Sequence, residues 1–250
     1  MSDRRHQTGI WLELGPSGAQ QGAERGDVVV IIDALRASVT VMAGLEAGAQ
    51  CVIPVLTVEE ANDYLDRPGY LVAGERGGKQ VPGFHFGNSP TEILAHRDEV
   101  QGQVLVVTTS NGTRCVNAAL EGASDVLVGS TVNAASATRA AFSLSCDCAC
   151  DVTLVAAGLG GSPADEDTFA QRLLAGRLVD LGAVPRTALV PVDEQGSLGV
   201  FLGGEAAGRL TELGYRDDIR FCAQIDVWDT VPIYRSDGFY EPIARGSVVS

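Results

Sequence analysis

The sequence alternates short apolar runs with longer segments in which apolar residues recur at helical spacing. The most apolar run is Val28–Ile32, whose five β-branched residues favour a strand that is covered on both faces. Similar runs predict strands at 9–14, 51–55, 70–73, 103–108, 125–129, 152–156 and 187–192. Strands that alternate with helices predict an α/β fold, with three α/β/α layers around a mostly parallel or mixed central sheet.

Helices are predicted between these strands from apolar spacing and from residues that favour helix ends. Thr57 and Glu60 form a capping box, and Ser89 with Pro90 begins another helix. The remaining helical patterns cover about 39–47, 113–120, 132–142, 162–181 and 198–213. Asp165, Glu166 and Asp167 lie in the first turn of the longest of these helices, where acidic residues are favoured.

Three stretches depart from this alternation. Residues 15–27 are rich in Gly, Ser and Gln and are predicted to form a loop. Residues 74–90 hold five glycines and two prolines, which predicts an irregular loop that lines or covers a cleft and orders when ligand binds. Residues 219–250 are expected to add strands at an edge of the sheet. The chain is interpreted as a single unit, 1–250, with 183–197 as a candidate boundary between two subdomains.

Composition narrows the classes of protein to consider. A net charge of −14 argues against binding to the nucleic-acid backbone, which needs clustered Lys and Arg. No apolar run is long enough to span a membrane, and the N-terminus lacks the apolar segment of a signal peptide, so we expect a cytoplasmic protein. Cys146, Cys148 and Cys150 alternate in a spacing unlike that of a structural zinc site, and are predicted to form an exposed entry into the next strand.

Polar clusters follow several of the predicted strands. The first is Asp33 with Arg36, and the second is Glu75 with Arg76. The others lie at 109–114 and 158–167. Because ligands bind beyond the carboxyl ends of strands in α/β folds, these clusters are expected along one rim if the strands are parallel neighbours. For Asp33 and Arg36 an ordinary ion pair that orients the turn remains an equal alternative.

Two kinds of chemistry are available at this rim. The carboxylates of Asp33, Glu75, Glu166 and Asp167 are candidate ligands for Mg²⁺, which prefers oxygen ligands and keeps water and phosphate in its shell. The segment TTSNGTR, residues 108–114, is a candidate anion cradle, because small residues let backbone amides approach a phosphate at a helix N-terminus. An Asn-Gly turn with a helix cap remains the plainer interpretation of that segment.

The chain also resembles the 2-phosphosulfolactate phosphatases, a family of magnesium-dependent enzymes. The matching blocks are Ile32–Ser38, Gly74–Arg76, Gly83–Pro90, Thr108–Arg114, Gly129–Ser130 with Asn133, Ala157–Gly158 and Glu166–Asp167. His85 stands where the family pattern commonly has an acidic residue. The resemblance implies hydrolysis of 2-phospho-3-sulfolactate to 3-sulfolactate and phosphate.

With this resemblance, each candidate residue receives a role. Asp33, Arg36 and Glu75 are predicted to be catalytic, and Mg²⁺ is predicted to bind Asp33, Glu75, Glu166 and Asp167. The predicted substrate-binding residues are Arg76, Asn88, Ser89, Asn111, Gly112, Thr113, Arg114 and Asn133. Arg36 and Arg114 are assigned to the phosphate, and Arg76 to the acid end of the substrate.

Two other functions are weighed against the phosphatase. A binding protein for a small phosphorylated or sulfonated acid would keep the same fold without turnover. A Rossmann-type dinucleotide enzyme is disfavoured, because no Gly-x-Gly-x-x-Gly opens a helix after the first predicted βα strand. The expected partner is therefore a small anionic phosphorylated substrate, with no nucleic acid and no membrane. A homodimer is a further expectation that the sequence leaves open.

Overall fold

The fold is α/β, with a single mixed sheet of eleven strands flanked by helices; the computed structural model describes residues 6–241. The strands are β1 Gly9–Leu14, β2 Val28–Ile32, β3 Cys51–Pro54, β4 Tyr70–Arg76, β5 Lys79–Gln80, β6 Val104–Thr108, β7 Asp125–Val128, β8 Val152–Ala156, β9 Val184–Pro185, β10 Ile233–Arg235 and β11 Gly238–Tyr240. Their order in the sheet is β5-β4-β6-β3-β11-β10-β7-β2-β8-β1-β9. The predicted fold class is confirmed, and the sheet is mixed.

The helices follow the strands along the chain. They are α1 Gly15–Arg25, α2 Ala37–Glu46, α3 Val58–Asn62, α4 Pro90–Ala95, α5 Arg97–Val100, α6 Gly112–Ala119, α7 Ala134–Cys148, α8 Asp165–Asp180, α9 Ser197–Gly203, α10 Glu205–Glu212 and α11 Arg216–Cys222. The side chains of Thr57 and Ser89 cap α3 and α4, as predicted. Within residues 6–241, no helix combines the length and the apolar character that a membrane crossing requires.

Strand β2 lies inside the larger parallel set of strands, β7-β2-β8-β1-β9. It pairs with β7 on one side and β8 on the other, and all five of its residues are buried. Burial on both faces explains why the strand reads as a continuous apolar run rather than an alternating one. The chain leaves β2 directly into Asp33, so a fully buried strand with a parallel partner on each side positions that carboxylate.

The hairpin β10–β11 lies inside the sheet and not at its edge, which corrects the expectation for 219–241; the remainder of that prediction, 242–250, lies outside the described residues. Strand β10 pairs antiparallel with β7, and β11 pairs antiparallel with β3. Phe239 on β11 is fully buried. The hairpin joins the parallel set β4-β6-β3 to the parallel set β7-β2-β8-β1-β9, and gives each a partner for an edge that would otherwise be unpaired.

The hairpin also decides how the two parallel sets meet. Three successive antiparallel pairings separate β7 from β3, so the two sets run in opposite directions. The carboxyl ends of strands from both sets nevertheless line one apolar cavity, which includes Ile31, Val107, Val128 and Phe239. The polar clusters therefore come from two sets of strands whose carboxyl ends converge. The condition under which a single rim was expected, that all these strands are parallel neighbours, is not met.

Residues 15–25 form helix α1, so the loop predicted for 15–27 is wrong. The helix packs closely on the sheet, and its glycines make this approach possible. A Cβ at Gly18 would lie 2.6 Å from the Cβ of Glu13, and one at Gly22 would lie 3.0 Å from the side chain of Thr153. The small residues that suggested a loop are therefore required for close helix–sheet contact.

Other departures from the predicted elements are local. Residues 187–192 form no strand, and β9 pairs with β1 through two residues only. The helix predicted at 198–213 breaks at Gly204, which has extended backbone angles. Residues 74–76 extend β4 and pair with β5, so 74–90 is not wholly irregular. Helix α7 continues to Cys148, which forms a disulfide with Cys150, so these cysteines are not a strand entry.

Asp151 connects the start of β1 to the segment after α8. Its carboxylate accepts hydrogen bonds from the Gly9 amide at 2.7 Å, from Trp11 Nε1 at 3.1 Å and from Arg186 Nε at 3.3 Å. Burial raises the pKa of Asp151, but these donors outweigh it and hold the pKa below its ordinary value. The cluster lies at the amino ends of β1 and β8. It therefore stabilises the sheet away from the strand ends that carry the candidate site residues.

Candidate active site

A cleft of about 70 Å³ lies where the carboxyl ends of β2, β4 and β6 converge. Its polar lining comes from separate parts of the chain. The polar and charged residues that line it are Asp33, Arg36, Glu75, Asn88, Ser110, Asn111 and Arg209. Loop residues Gly77 and Gly78 also line it, so the segment 74–90 contributes to the cleft as predicted.

Asp33 is buried at the end of β2 and is held by backbone donors. Its Oδ1 accepts the amide of Ala37 at 3.1 Å, and its own amide donates to Ser38 Oγ at 2.8 Å. Gly112 lies so close that a Cβ there would be 2.9 Å from Asp33 Oδ2. Burial, with the nearby charges of Glu75 and Glu166, raises the pKa of Asp33 to about 6.

Glu75 joins the two loops that border the cleft on the β4 side. Its Oε2 accepts the amide of Gly78 at 2.7 Å, and its Oε1 accepts the amide of Ser110 at 2.8 Å. These bonds fix the carboxylate in place beside the cleft. Each oxygen keeps further lone-pair capacity, because an ionised carboxylate offers about four acceptor sites.

Arg36 is held in a buried ion pair with Asp218 of α11. Its Nη1 lies 2.6 Å from Asp218 Oδ2, its Nη2 donates to the Gly78 carbonyl at 3.1 Å, and its guanidinium lies over the ring of Tyr215. Asp218 also accepts from Ser89 Oγ at 2.9 Å. Ser89 is thus a cap and a support for Arg36, and it lies behind the cleft wall.

Asn88 lines the cleft and has a buried side-chain oxygen. The residue is only 4% exposed, and within the described residues its Oδ1 is buried without a hydrogen-bond partner. A buried acceptor with no donor is costly unless a ligand, water or ion completes it. Because Asn88 lines the cleft, this oxygen is a candidate contact for whatever binds there.

Asp167 and Glu166 lie near Asp33 but outside the cleft lining. Asp167 accepts the amides of Ala34 at 2.7 Å and Gly158 at 2.8 Å, so it ties the turn after β2 to the turn after β8. Burial, followed by the charge of Asp33, raises the pKa of Asp167. Burial also raises the pKa of Glu166, which opens into an adjacent cavity of about 190 Å³.

Comparison with known proteins identifies the family of this chain. The family model described as 2-phosphosulpholactate phosphatase matches residues 15–237. The chain is 38% identical to the 2-phosphosulfolactate phosphatase of Methanothermobacter thermautotrophicus, over 87% of this chain and 91% of the relative. It is 36% identical to a probable 2-phosphosulfolactate phosphatase of Thermus thermophilus, over 84% and 88% of the two chains.

The chain belongs to the 2-phosphosulfolactate phosphatase family. The match covers most of the chain and includes every element that lines the cleft. The family is one of phosphoric monoester hydrolases. The resemblance inferred from the sequence motifs is therefore confirmed.

Several residues predicted for substrate binding lie outside the lining of the cleft. Arg76 is exposed and donates to the Glu75 carbonyl and to Thr108 Oγ1. Arg114 is also exposed and is not part of the cleft lining. Thr113 lines the apolar cavity, and fully buried Asn133 bonds the Ser130 amide and the Thr230 carbonyl.

The remaining predicted residues lie at or beside the cleft. Asn111 lines it, and Gly112 lies against Asp33. His85 is exposed, and its Nδ1 accepts the Val72 amide at 3.1 Å, so it stabilises the strand rather than the cleft. The structure therefore brings together Asp33, Arg36, Glu75, Asn88 and Asn111.

Two residues of the candidate site were not predicted from the sequence. Arg209 lines the cleft from α10, and Asp218 holds Arg36 from α11. Neither follows a strand, so the rule that led to Asp33 and Glu75 gave no signal for them. The sequence of 218–232 also resembles the family, though more weakly than the blocks named above, and that resemblance is a signal that could have found Asp218.

The donors of the cleft suit a hard cation. Across residues 6–241, no three His, Cys, Asp or Glu side chains form a cluster able to hold a metal ion, so the four predicted acids are not one ligand set. Mg²⁺ commonly takes only one or two carboxylates, with water and phosphate completing its shell. Asp33, Glu75 and the unpaired oxygen of Asn88 provide oxygen donors of this kind in one cleft.

Proposed function

We propose that this protein is a magnesium-dependent phosphatase that hydrolyses 2-phospho-3-sulfolactate to 3-sulfolactate and phosphate. The observation that carries the proposal is the pairing of buried Asp33 with Glu75 in a cleft that also holds Arg36 and the unpaired oxygen of Asn88. The names of the relatives support the choice of substrate.

The charge of the cleft supports the need for a cation. Asp33 and Glu75 carry negative charge, and Asp218 already compensates Arg36. A substrate with a phosphate and two further acid groups would be repelled by these carboxylates. A bound divalent cation neutralises charge on the phosphate and lowers the pKa of a coordinated water. Glu75 and Asn88 are the residues that would hold it, with Asp33 beside them as the carboxylate left free for the attacking water.

The protein's own groups orient and activate the reactants. Arg36 has five N–H donors, of which the structure commits two to Asp218 and Gly78, so donors remain for a phosphate oxygen. The ion pair of Arg36 and its contact with Tyr215 keep the guanidinium fixed. Little orientational freedom is therefore lost when the phosphate binds. The backbone amides at the start of α6, next to Asn111, lie at the positive end of the helix dipole, which favours the binding of an anion.

Asp33 is assigned to the proton of the attacking water. A general base works best when its pKa lies near the working pH, and the pKa of Asp33 is raised to about 6. Glu75 is then the principal carboxylate for the cation, because two backbone amides already fix it beside the cleft. Asn88, whose oxygen lacks a partner, completes the polar wall.

The test is phosphate release from 2-phospho-3-sulfolactate by purified protein, with Mg²⁺, with excess chelator, and after Mg²⁺ is restored. We expect activity to disappear in chelator and to return with Mg²⁺. Asp33→Asn is expected to lose at least about 100-fold in kcat with its fold intact. Full-rate release in excess chelator refutes the metal requirement. Calorimetric binding of the substrate without any release would support the binding-protein alternative.

A further inference from the structure

Arg209 is the second guanidinium of the cleft, and it is much less constrained than Arg36. Its side chain is 42% exposed, and its ion pair is with Glu205, one turn away on α10, at 3.5 Å. Arg36 by contrast is 2% exposed and lies 2.6 Å from Asp218. An exposed pair at the longer distance is easily exchanged for another anion. Arg209 is therefore free to bind a charged group of a ligand.

The cleft lining that includes Arg209 has an apolar part, of which Ala206 and Leu210 belong to the same helix, α10. Leu35, Leu159, Ala206 and Leu210 line the cleft with it. An anion bound there would give up part of its hydration, which favours an anion whose charge is spread over several oxygens. A guanidinium is itself weakly hydrated and presents a planar fork that matches two such oxygens. A sulfonate fits this description better than a carboxylate.

We propose that Arg209 is a specificity-determining residue that binds the sulfonate of the substrate. This inference rests on the proposed function and names the group that α10 recognises. The phosphate end lies with Asp33, Glu75 and Arg36, and the sulfonate end lies against α10. Recognition of the sulfonate thus depends on α10, a helix that comes later in the sequence than the strands and residues of the reaction centre.

The test compares two substrates that differ in the sulfonate alone. 2-Phospholactate keeps the phosphate and the carboxylate of 2-phospho-3-sulfolactate but has a methyl group in place of the sulfonate-bearing carbon. Arg209→Ala is expected to lower kcat/KM for the sulfonated substrate by about 10- to 100-fold, mainly through KM, and to change that for 2-phospholactate by less than about 3-fold. Arg209→Lys should restore part of the loss, because charge is kept and the fork is lost.

A matched control is Arg220→Ala. Arg220 is an exposed arginine on α11 that pairs with Asp217 at 3.6 Å and does not line the cleft. We expect it to behave as the parent protein with both substrates. Thermal unfolding of each variant shows that losses are not losses of fold.

The outcomes separate this inference from the proposed function. Equal losses on both substrates would overturn the assignment to the sulfonate, since Arg209 would then act on a group that they share. If the parent protein releases phosphate from neither substrate, the phosphatase function fails. Calorimetric binding of 3-sulfolactate and of lactate then decides the role of Arg209. Binding of 3-sulfolactate that is weakened in Arg209→Ala would uphold it, and unchanged binding would overturn it.

Discussion

The buried pair of Arg36 and Asp218 provides a sharp test of how the cleft is built. Asp218→Asn keeps the size of the side chain and removes its charge, so the Arg36 guanidinium stays buried without its counter-ion. Arg36 and Asp218 have side chains that are 2% and 0% exposed. Removal of one partner from such a pair costs about 3–5 kcal/mol, because the remaining charge is uncompensated. This is a large share of the roughly 5–15 kcal/mol that stabilises a typical domain.

The assay is urea unfolding at pH 7 followed by far-UV circular dichroism. We expect the free energy of unfolding to fall by about 3–5 kcal/mol with little change in its dependence on urea concentration. Asp217→Asn is the matched control, because the neighbouring residue on α11 pairs with Arg220 at 3.6 Å and both side chains are exposed. That control should lose less than about 1 kcal/mol.

A double variant separates the structural role of the pair from its role in catalysis. Arg36→Met with Asp218→Leu replaces both charges by apolar groups, which removes the cost of an unpaired charge. It should regain at least half of the stability that Asp218→Asn loses, since Ser89 and Thr91 still lose their acceptor. Phosphate release by the double variant should be abolished, because this variant lacks the Arg36 guanidinium that is assigned to the phosphate. If Asp218→Asn is within about 1 kcal/mol of the parent protein, the reasoning about this buried pair is wrong.

Three further predictions follow from other contacts. Gly112→Ala should reduce kcat by at least about 10-fold and lower the free energy of unfolding by about 1–3 kcal/mol, because its Cβ would lie 2.9 Å from Asp33 Oδ2 and 3.0 Å from the Cβ of Ala37. Gly176→Ala in α8, where a Cβ meets nothing within 4 Å, should keep full activity and gain up to about 1 kcal/mol. Asp151→Asn should lower the free energy of unfolding at pH 7 by about 1–2 kcal/mol. Because the folded pKa of Asp151 is lowered, this difference is fully present above pH 3.8 and is lost only as the pH falls below that value through the folded pKa; a difference that is already lost at about pH 5 would contradict the pKa shift. Under native, non-reducing conditions iodoacetamide should label Cys146 alone, because the other free thiols are buried; mass spectrometry that finds a second labelled cysteine would refute this.

Much of the fold could be predicted from local patterns. The β-branched run Val28–Ile32, the capping residues Thr57 and Ser89, and the acidic first turn of α8 all lie in the predicted elements. These signals are local because side-chain periodicity and end caps act within one or two turns of chain. The glycines of α1 show the limit of such reasoning, since small residues serve loops and close helix packing equally well.

The residues of the candidate site could also be predicted only in part. Asp33, Glu75 and Asn111 lie directly after or at the end of strands, and the family motifs include them, so sequence alone pointed to them. Arg76 and Arg114 have the right charge and the right neighbours in sequence, yet their side chains lie outside the cleft. Sequence position fixes where a backbone leaves a strand, but the direction of a long side chain depends on which groups surround it.

Local patterns and family motifs were sufficient to establish the α/β class, the family and the carboxylates at the strand ends. The packed fold was needed to show that the β10–β11 hairpin joins two oppositely directed sets of strands, and that their carboxyl ends converge on one cleft. It was also needed to place Arg209 in that cleft and Asp218 against Arg36, both from helices late in the sequence. Strand pairing and charge compensation join residues more than 100 positions apart, such as Arg36 and Asp218, and no local pattern records such a partner.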